Sequence, residues 1–158
     1  MTDWDKRFLN LAGYIASWSK DPRTKVGCVI VDNRKRIVSV GYNGFPRGVS
    51  DNVERYINRE TKLKFICHAE RNALDQAPYS VENCLLYTTH LPCNECTKSI
   101  VQRGIVAICS YDNPRDYERF NWEESKQMLK EAGISIKLIS TGIEEDYPDF
   151  VLGEDLLF

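Results

Sequence analysis

Residues 84–109 read CLLYTTHLPCNECTKSIVQRGIVAIC, and the order of residue types within them decides the fold. Residues 84–88 are apolar and β-prone, as a strand requires, and the polar stretch 94–103 after Pro92 has the character of a helix. Gly104 stops that helix, and residues 105–109 return to a short β-branched run. Two strands joined through a helix run parallel, because so long a connection carries the chain back to the end from which it started.

The same unit repeats toward the C-terminus. Residues 117–132 predict a helix ended by Gly133, and 134–139 predict another strand. Toward the N-terminus, residues 68–76 predict a short helix stopped by Pro78, and 41–48, with three glycines and a proline, predict a loop of constrained geometry. Residues 25–31 and 37–42, rich in Val and Ile around a polar turn at 32–35, predict an antiparallel hairpin. Over 2–20, Trp4, Phe8, Leu11, Ile15 and Trp18 recur at three or four positions, which predicts an amphipathic helix with a Thr2/Asp5 capping box and Pro22 beyond its end. The polar segment between the loop and Cys67 has no decisive period. The expected class is α/β: a five-stranded mixed sheet flanked by helices, its first hairpin antiparallel and its later strands parallel.

Bulk properties exclude several classes. With 158 residues, 42% hydrophobic and 28% charged, the chain is expected to be one domain spanning 1–158, with an acidic tail over about 140–158 to which no role is assigned. A net charge of −2 offers no broad attraction for long nucleic acid, and Arg34-Lys35-Arg36 reads as a solvated turn. Neither an export signal nor an apolar run of membrane-spanning length is evident, so a cytoplasmic location with no membrane partner is expected. In that setting the six cysteines are reduced thiols or metal ligands rather than disulfides.

Chemistry concentrates in Cys67-His68-Ala69-Glu70 and Leu91-Pro92-Cys93-Asn94-Glu95-Cys96, each at a predicted helix start. Cys93 and Cys96 can aim both sulfurs at one ion there, with the helix dipole favouring thiolates, and His68 supplies a third ligand. His68 and Glu70 would diverge in mid-helix but can converge past a helix end. Three protein ligands leave a tetrahedral Zn²⁺ one position for water, which marks a catalytic site. Glu70 is then the acid–base group that takes a proton from that water, gives it to a ring nitrogen and later serves the leaving amine. His-x-Glu with Pro-Cys-x-x-Cys is the known pattern of zinc nucleobase deaminases. Against this stand a structural zinc half-site, a redox pair, or a Cys₃His centre including Cys67; in the last, adjacent residues diverge in direction and Glu70 is left without a task. Cys28, Cys84 and Cys109 read as packing residues, and His90 as a surface or loop histidine.

From Ser17 to Tyr111 the sequence resembles the deoxycytidylate (dCMP) deaminase family of the cytidine deaminase superfamily. The resemblance rests on Ser19-Lys20-Asp21-Pro22-Arg23-Thr24-Lys25-Val26-Gly27, the 41–48 loop, Cys67-His68-Ala69-Glu70-Arg71-Asn72-Ala73 and Pro92-Cys93-Asn94-Glu95-Cys96. It implies an α/β/α sandwich that deaminates dCMP to dUMP, feeding thymidylate synthesis. Asn43 would meet the sugar and base, Ala69 the base edge through its backbone, and Tyr111 would pack against the nucleotide. By the same resemblance Val26 would belong to the substrate site, with Arg23, Lys25 and Arg115 as cations for the phosphate. The resemblance also implies a homo-hexamer activated by dCTP with Mg²⁺ and inhibited by dTTP, with the effector near Gly44, Arg47, Gly48 and Asp51. Alternatives are a deaminase of dCTP, cytidine or a tRNA adenosine, and a noncatalytic zinc-stabilised binding module.

Overall fold

A computed structural model of the chain describes residues 2–140, and the acidic tail lies outside them. Helix α1 (Asp3–Ala16) begins on the expected capping box: the Thr2 side chain accepts from the Asp5 backbone N–H, and Asp5 returns the bond to Thr2 N–H. It ends earlier than its apolar stripe suggests, in turns that carry the chain through Ser19 and Asp21 to the sheet. Strands β1 (Gly27–Val31) and β2 (Ile37–Tyr42) pair antiparallel. The polar segment that carries no period folds into two short helices, α2 (Val53–Ile57) and α3 (Arg59–Phe65), capped by Asn52 and Asn58 through their side-chain oxygens. With almost no buried residue between them, neither helix has an apolar stripe for sequence reading to detect.

Helix α4 (Ala69–Gln76), strand β3 (Leu85–Thr88), helix α5 (Asn94–Gln102) and strand β4 (Ala107–Asp112) follow. The expected helix over 117–132 is instead two, α6 (Arg115–Arg119) and α7 (Trp122–Glu131). Asn121 separates them at φ 52°, ψ 54°, a left-handed conformation that Asn tolerates and a continuous helix cannot contain. Strand β5 (Ser135–Ser140) completes a sheet of order β2-β1-β3-β4-β5, with β1 antiparallel to both neighbours and β3, β4 and β5 parallel.

Both sheet faces are covered, which is why β1 is buried at every position rather than alternating. Cys28 and Ile30 face a core shared with Ala69 and Leu74 of α4, Ile100 of α5 and Leu129 of α7. Val29 and Val31 face Phe8, Leu9, Ala12 and Ile15 of α1. Gly41 on β2 touches α4 so closely that a Cβ there would collide with the Ala69 carbonyl and the Ala73 amide. The crossover from β3 to β4 puts the start of α5 beyond the carboxyl end of β3, beside the start of α4. That is where ligand sites form in sheets of this kind. No helix among the described residues is long and apolar enough to cross a membrane.

Candidate active site

His68 and Cys93 are the N-cap residues of α4 and α5, with extended backbones (φ −74°, ψ 155° and φ −66°, ψ 167°) that send their side chains off the helix ends. His68 Nδ1 lies 3.4 Å from Cys93 Sγ and 3.4 Å from Cys96 Sγ, and the three donor atoms fall within 4.8 Å of one another. A tetrahedral ion with bonds of about 2.3 Å to sulfur and about 2.0 Å to nitrogen sets its ligand atoms about 3.5–3.8 Å apart. The donor set therefore fits a zinc-like ion in spacing, and two thiols with one imidazole fit it in softness.

Electrostatics favour the same use. The hydrogen bond from Cys96 and the proximity of His68 draw the Cys93 thiol down to about 4 against its burial. Cys96, pressed against Cys93 and buried near Glu70, is driven upward, since two sulfurs this close resist a second negative charge. A cation between them removes that resistance. Glu70, in the first turn of α4, is buried with 3% of its surface exposed, and Cys96 Sγ is 3.7 Å from its Oε2. Burial pushes its carboxyl up to about 7, with the charge of His68 opposing. A carboxyl so placed can both take and release a proton near neutral pH.

His68, Glu70 and Cys93 line a cavity of about 510 Å³, within the size range of small-molecule sites, and Cys96 stands outside its lining. Of the residues singled out from sequence, Arg23, Val26, Asn43, Ala69, Glu70, His68 and Cys93 line it. Asn43 ties two segments together: Oδ1 accepts from Val26 N–H at 2.8 Å, and Nδ2 donates to the Thr24 carbonyl at 2.8 Å and to Asp21 Oδ2 at 3.4 Å. Asp21, fully buried, receives the amides of Arg23 and Thr24 on Oδ1 and pairs through Oδ2 with Lys62 of α3.

Lys25, Tyr111 and Arg115 lie outside the lining. Lys25 is exposed with Nζ 3.5 Å from the Ser17 carbonyl. Tyr111 alternates onto the sheet face of Cys109 and packs with the α1 core, whereas the cavity opens on the α4 and α5 side. Arg115 is exposed at the start of α6. In the 44–51 loop, Gly44 pairs its backbone with Cys67 in both directions, Arg47 is exposed, Gly48 takes φ +80°, and Asp51 pairs with Lys20 at 2.9 Å.

The cavity adds Tyr56, Arg59, Lys62 and Arg119, which sequence reading does not single out, and His90, which it does not read as a site residue. Arg59 and Lys62 share a face of α3 at i, i+3, and Arg119 follows Arg115 by four positions, so helical spacing was the available signal. His90 is the loop histidine expected, between β3 and α5, but only partly exposed: burial, then the charge of Arg119, holds it down at about 4, and its Nδ1 lies 3.2 Å from Thr89 Oγ1.

Residues 2–111 match the family described as the cytidine and deoxycytidylate deaminase zinc-binding region. A deaminase of Aliivibrio fischeri, itself uncharacterised, is 40% identical over 140 residues, covering 86% of this chain and 93% of that protein. Human deoxycytidylate deaminase is 40% identical over 112 residues, 67% of this chain and 63% of its own length. Among solved structures, the dCMP deaminase of cyanophage S-TIM5 superposes with TM-score 0.70 at 25% identity, covering 88% of this chain and 100% of that one. It has also been solved with dCMP and dUMP bound, with TM-score 0.67.

Proposed function

The chain belongs to the cytidine and deoxycytidylate deaminase family, and from that premise we propose that this deaminase hydrolyses dCMP to dUMP and ammonia. The observation that carries the proposal is the convergence of His68, Cys93 and Cys96 with a buried Glu70 at a nucleotide-sized cavity. Its relatives named for deoxycytidylate support the choice of substrate.

Zn²⁺ held by His68, Cys93 and Cys96 would supply Lewis acidity and a water acidified toward neutrality. Glu70 accepts the proton released as water adds at C4 of the cytosine and passes it to ring N3. It then carries the second proton to the amine, which departs as ammonia while C4 keeps the oxygen. Burial of Glu70 keeps its proton affinity close to that of the groups it serves. The Ala69 backbone sits beside it for the base edge, and Asn43 fixes the 21–26 segment against which a sugar would rest.

The same reading takes dUMP formation as a supply for thymidylate synthesis and places the enzyme in the cytoplasm, where the six unpaired thiols stay reduced. It assigns activation by dCTP with Mg²⁺ and inhibition by dTTP to the 44–51 loop of a homo-hexamer, on the strength of the resemblance and of the direct tie from Gly44 to Cys67 beside the metal ligand. Ammonia release from dCMP, CMP, dCTP and deoxycytidine, each offered alone with Mg²⁺ and dCMP also with dCTP, tests both levels. Turnover of dCMP well above the rest is expected; a preference for another substrate overturns the assignment. Indifference of the dCMP rate to saturating dCTP and dTTP removes the regulatory part alone.

A further inference from the structure

Three guanidiniums, those of Arg23, Arg59 and Arg119, line the cavity and make no ion pair among the described residues. The fourth cation, Lys62, is different: Asp21 neutralises it in a buried pair. Arg119 is also held in place, since Nη2 donates to Thr24 Oγ1 at 3.3 Å and the guanidinium lies 5.0 Å over the Phe120 ring. Both holders are neutral, so they orient the fork and leave its charge whole. Thr24 belongs to the segment fastened by Asn43, which ties the position of Arg119 to the floor of the site. Of the two carboxylates that also line the cavity, Asp21 is paired with Lys62 and Glu70 lies beside the candidate metal ligands, and neither pairs with these arginines; three guanidiniums left unpaired form a site for an anion, and a planar fork suits two oxygens of a phosphate monoester.

Resting on the dCMP reading, we propose that Arg119 of α6, assisted by Arg59 of α3, binds the substrate phosphate and makes the site selective for a nucleoside monophosphate over the nucleoside. Arg115, one turn earlier, stands outside the cavity, and the exposed Lys25 reaches back toward Ser17. Of the phosphate cations that the resemblance implies, Arg23, Lys25 and Arg115, Arg23 alone lines the cavity, so the proposed seat differs from that set. It joins α3 and α6, two elements far apart in the chain, across the same opening.

The test compares kcat/KM for dCMP and deoxycytidine in the full-length wild type, Arg119→Gln, Arg119→Lys and Arg59→Gln. The dCMP preference is expected to fall about 10- to 100-fold in Arg119→Gln, carried by KM, the range expected for lost charge-assisted hydrogen bonds. Arg119→Lys, which keeps the charge and loses the fork, should fall between, and Arg59→Gln should lose part of the preference without touching α6. An unchanged preference in both glutamine variants overturns the phosphate assignment while leaving the dCMP reading intact. Calorimetric binding of dUMP and deoxyuridine separates the opposite case. If the wild type does not turn over dCMP, the functional reading fails, and the phosphate seat stands only if dUMP binds more tightly than deoxyuridine and Arg119→Gln abolishes the difference.

Discussion

At the scale of the residue, the proposed chemistry concentrates on Glu70, because its carboxyl is the only buried one within reach of the candidate metal-ligand sulfurs among the described residues. Glu70→Gln keeps the shape and removes the proton shuttle. Its kcat/KM for dCMP is expected to drop about 10²- to 10⁴-fold with metal content unchanged, measured by ammonia release and atomic absorption on the same preparation. A variant of unaltered activity would leave Glu70 with no acid–base role. Cys96→Ala acts differently, by taking a donor from the triad, and should lose metal and activity together.

At the scale of the element, the approach of β2 to α4 sets the position of the site. Gly41→Ala forces a methyl into the Ala69 carbonyl and the Ala73 amide, and backbone on both sides cannot yield as a flexible side chain would. A loss of about 1–3 kcal/mol in urea unfolding is expected, with weakened metal retention because α4 carries His68 at its start. How legible such features were depends on the physics behind each. The strand-helix-strand units, the hairpin and the capping box follow from local periodicity and turn chemistry, and the two motifs at helix starts follow from ligand spacing. Helices α2 and α3 bury almost nothing and so have no pattern to read, although their residues Arg59 and Lys62 end up in the cavity. The left-handed turn at Asn121 breaks what reads as one helix over 117–132, and the short helix before it sets Arg119 rather than Arg115 in the cavity lining. Tyr111 depends on strand alternation measured from a register that only the assembled sheet fixes.

At the scale of the whole molecule, Asp5 fastens α1 to β5. It accepts hydrogen bonds from Lys137 of β5 and, at 3.1 Å, from Tyr87 of β3. Burial works against its charge, but the hydrogen bonds from Lys137, Thr2 and Tyr87 outweigh it and hold the carboxyl below its usual range. Because the folded value is depressed, this stabilisation is present above the unfolded value of about 3.9 and is lost as pH falls below it. Asp5→Asn should therefore cost about 1–3 kcal/mol at neutral pH, with the gap to wild type closing below about pH 4 in denaturant titrations. A gap constant with pH would show that the charge contributes nothing. The candidate metal triad works over a much shorter span of chain. His68 and Cys96 stand 28 positions apart, so an ion gripping both closes a loop and removes disorder from the unfolded chain worth about 3–4 kcal/mol on the cross-link model. A chelator is then a denaturant as well as an inhibitor, and the melting temperature of the stripped protein should fall with every residue still in place.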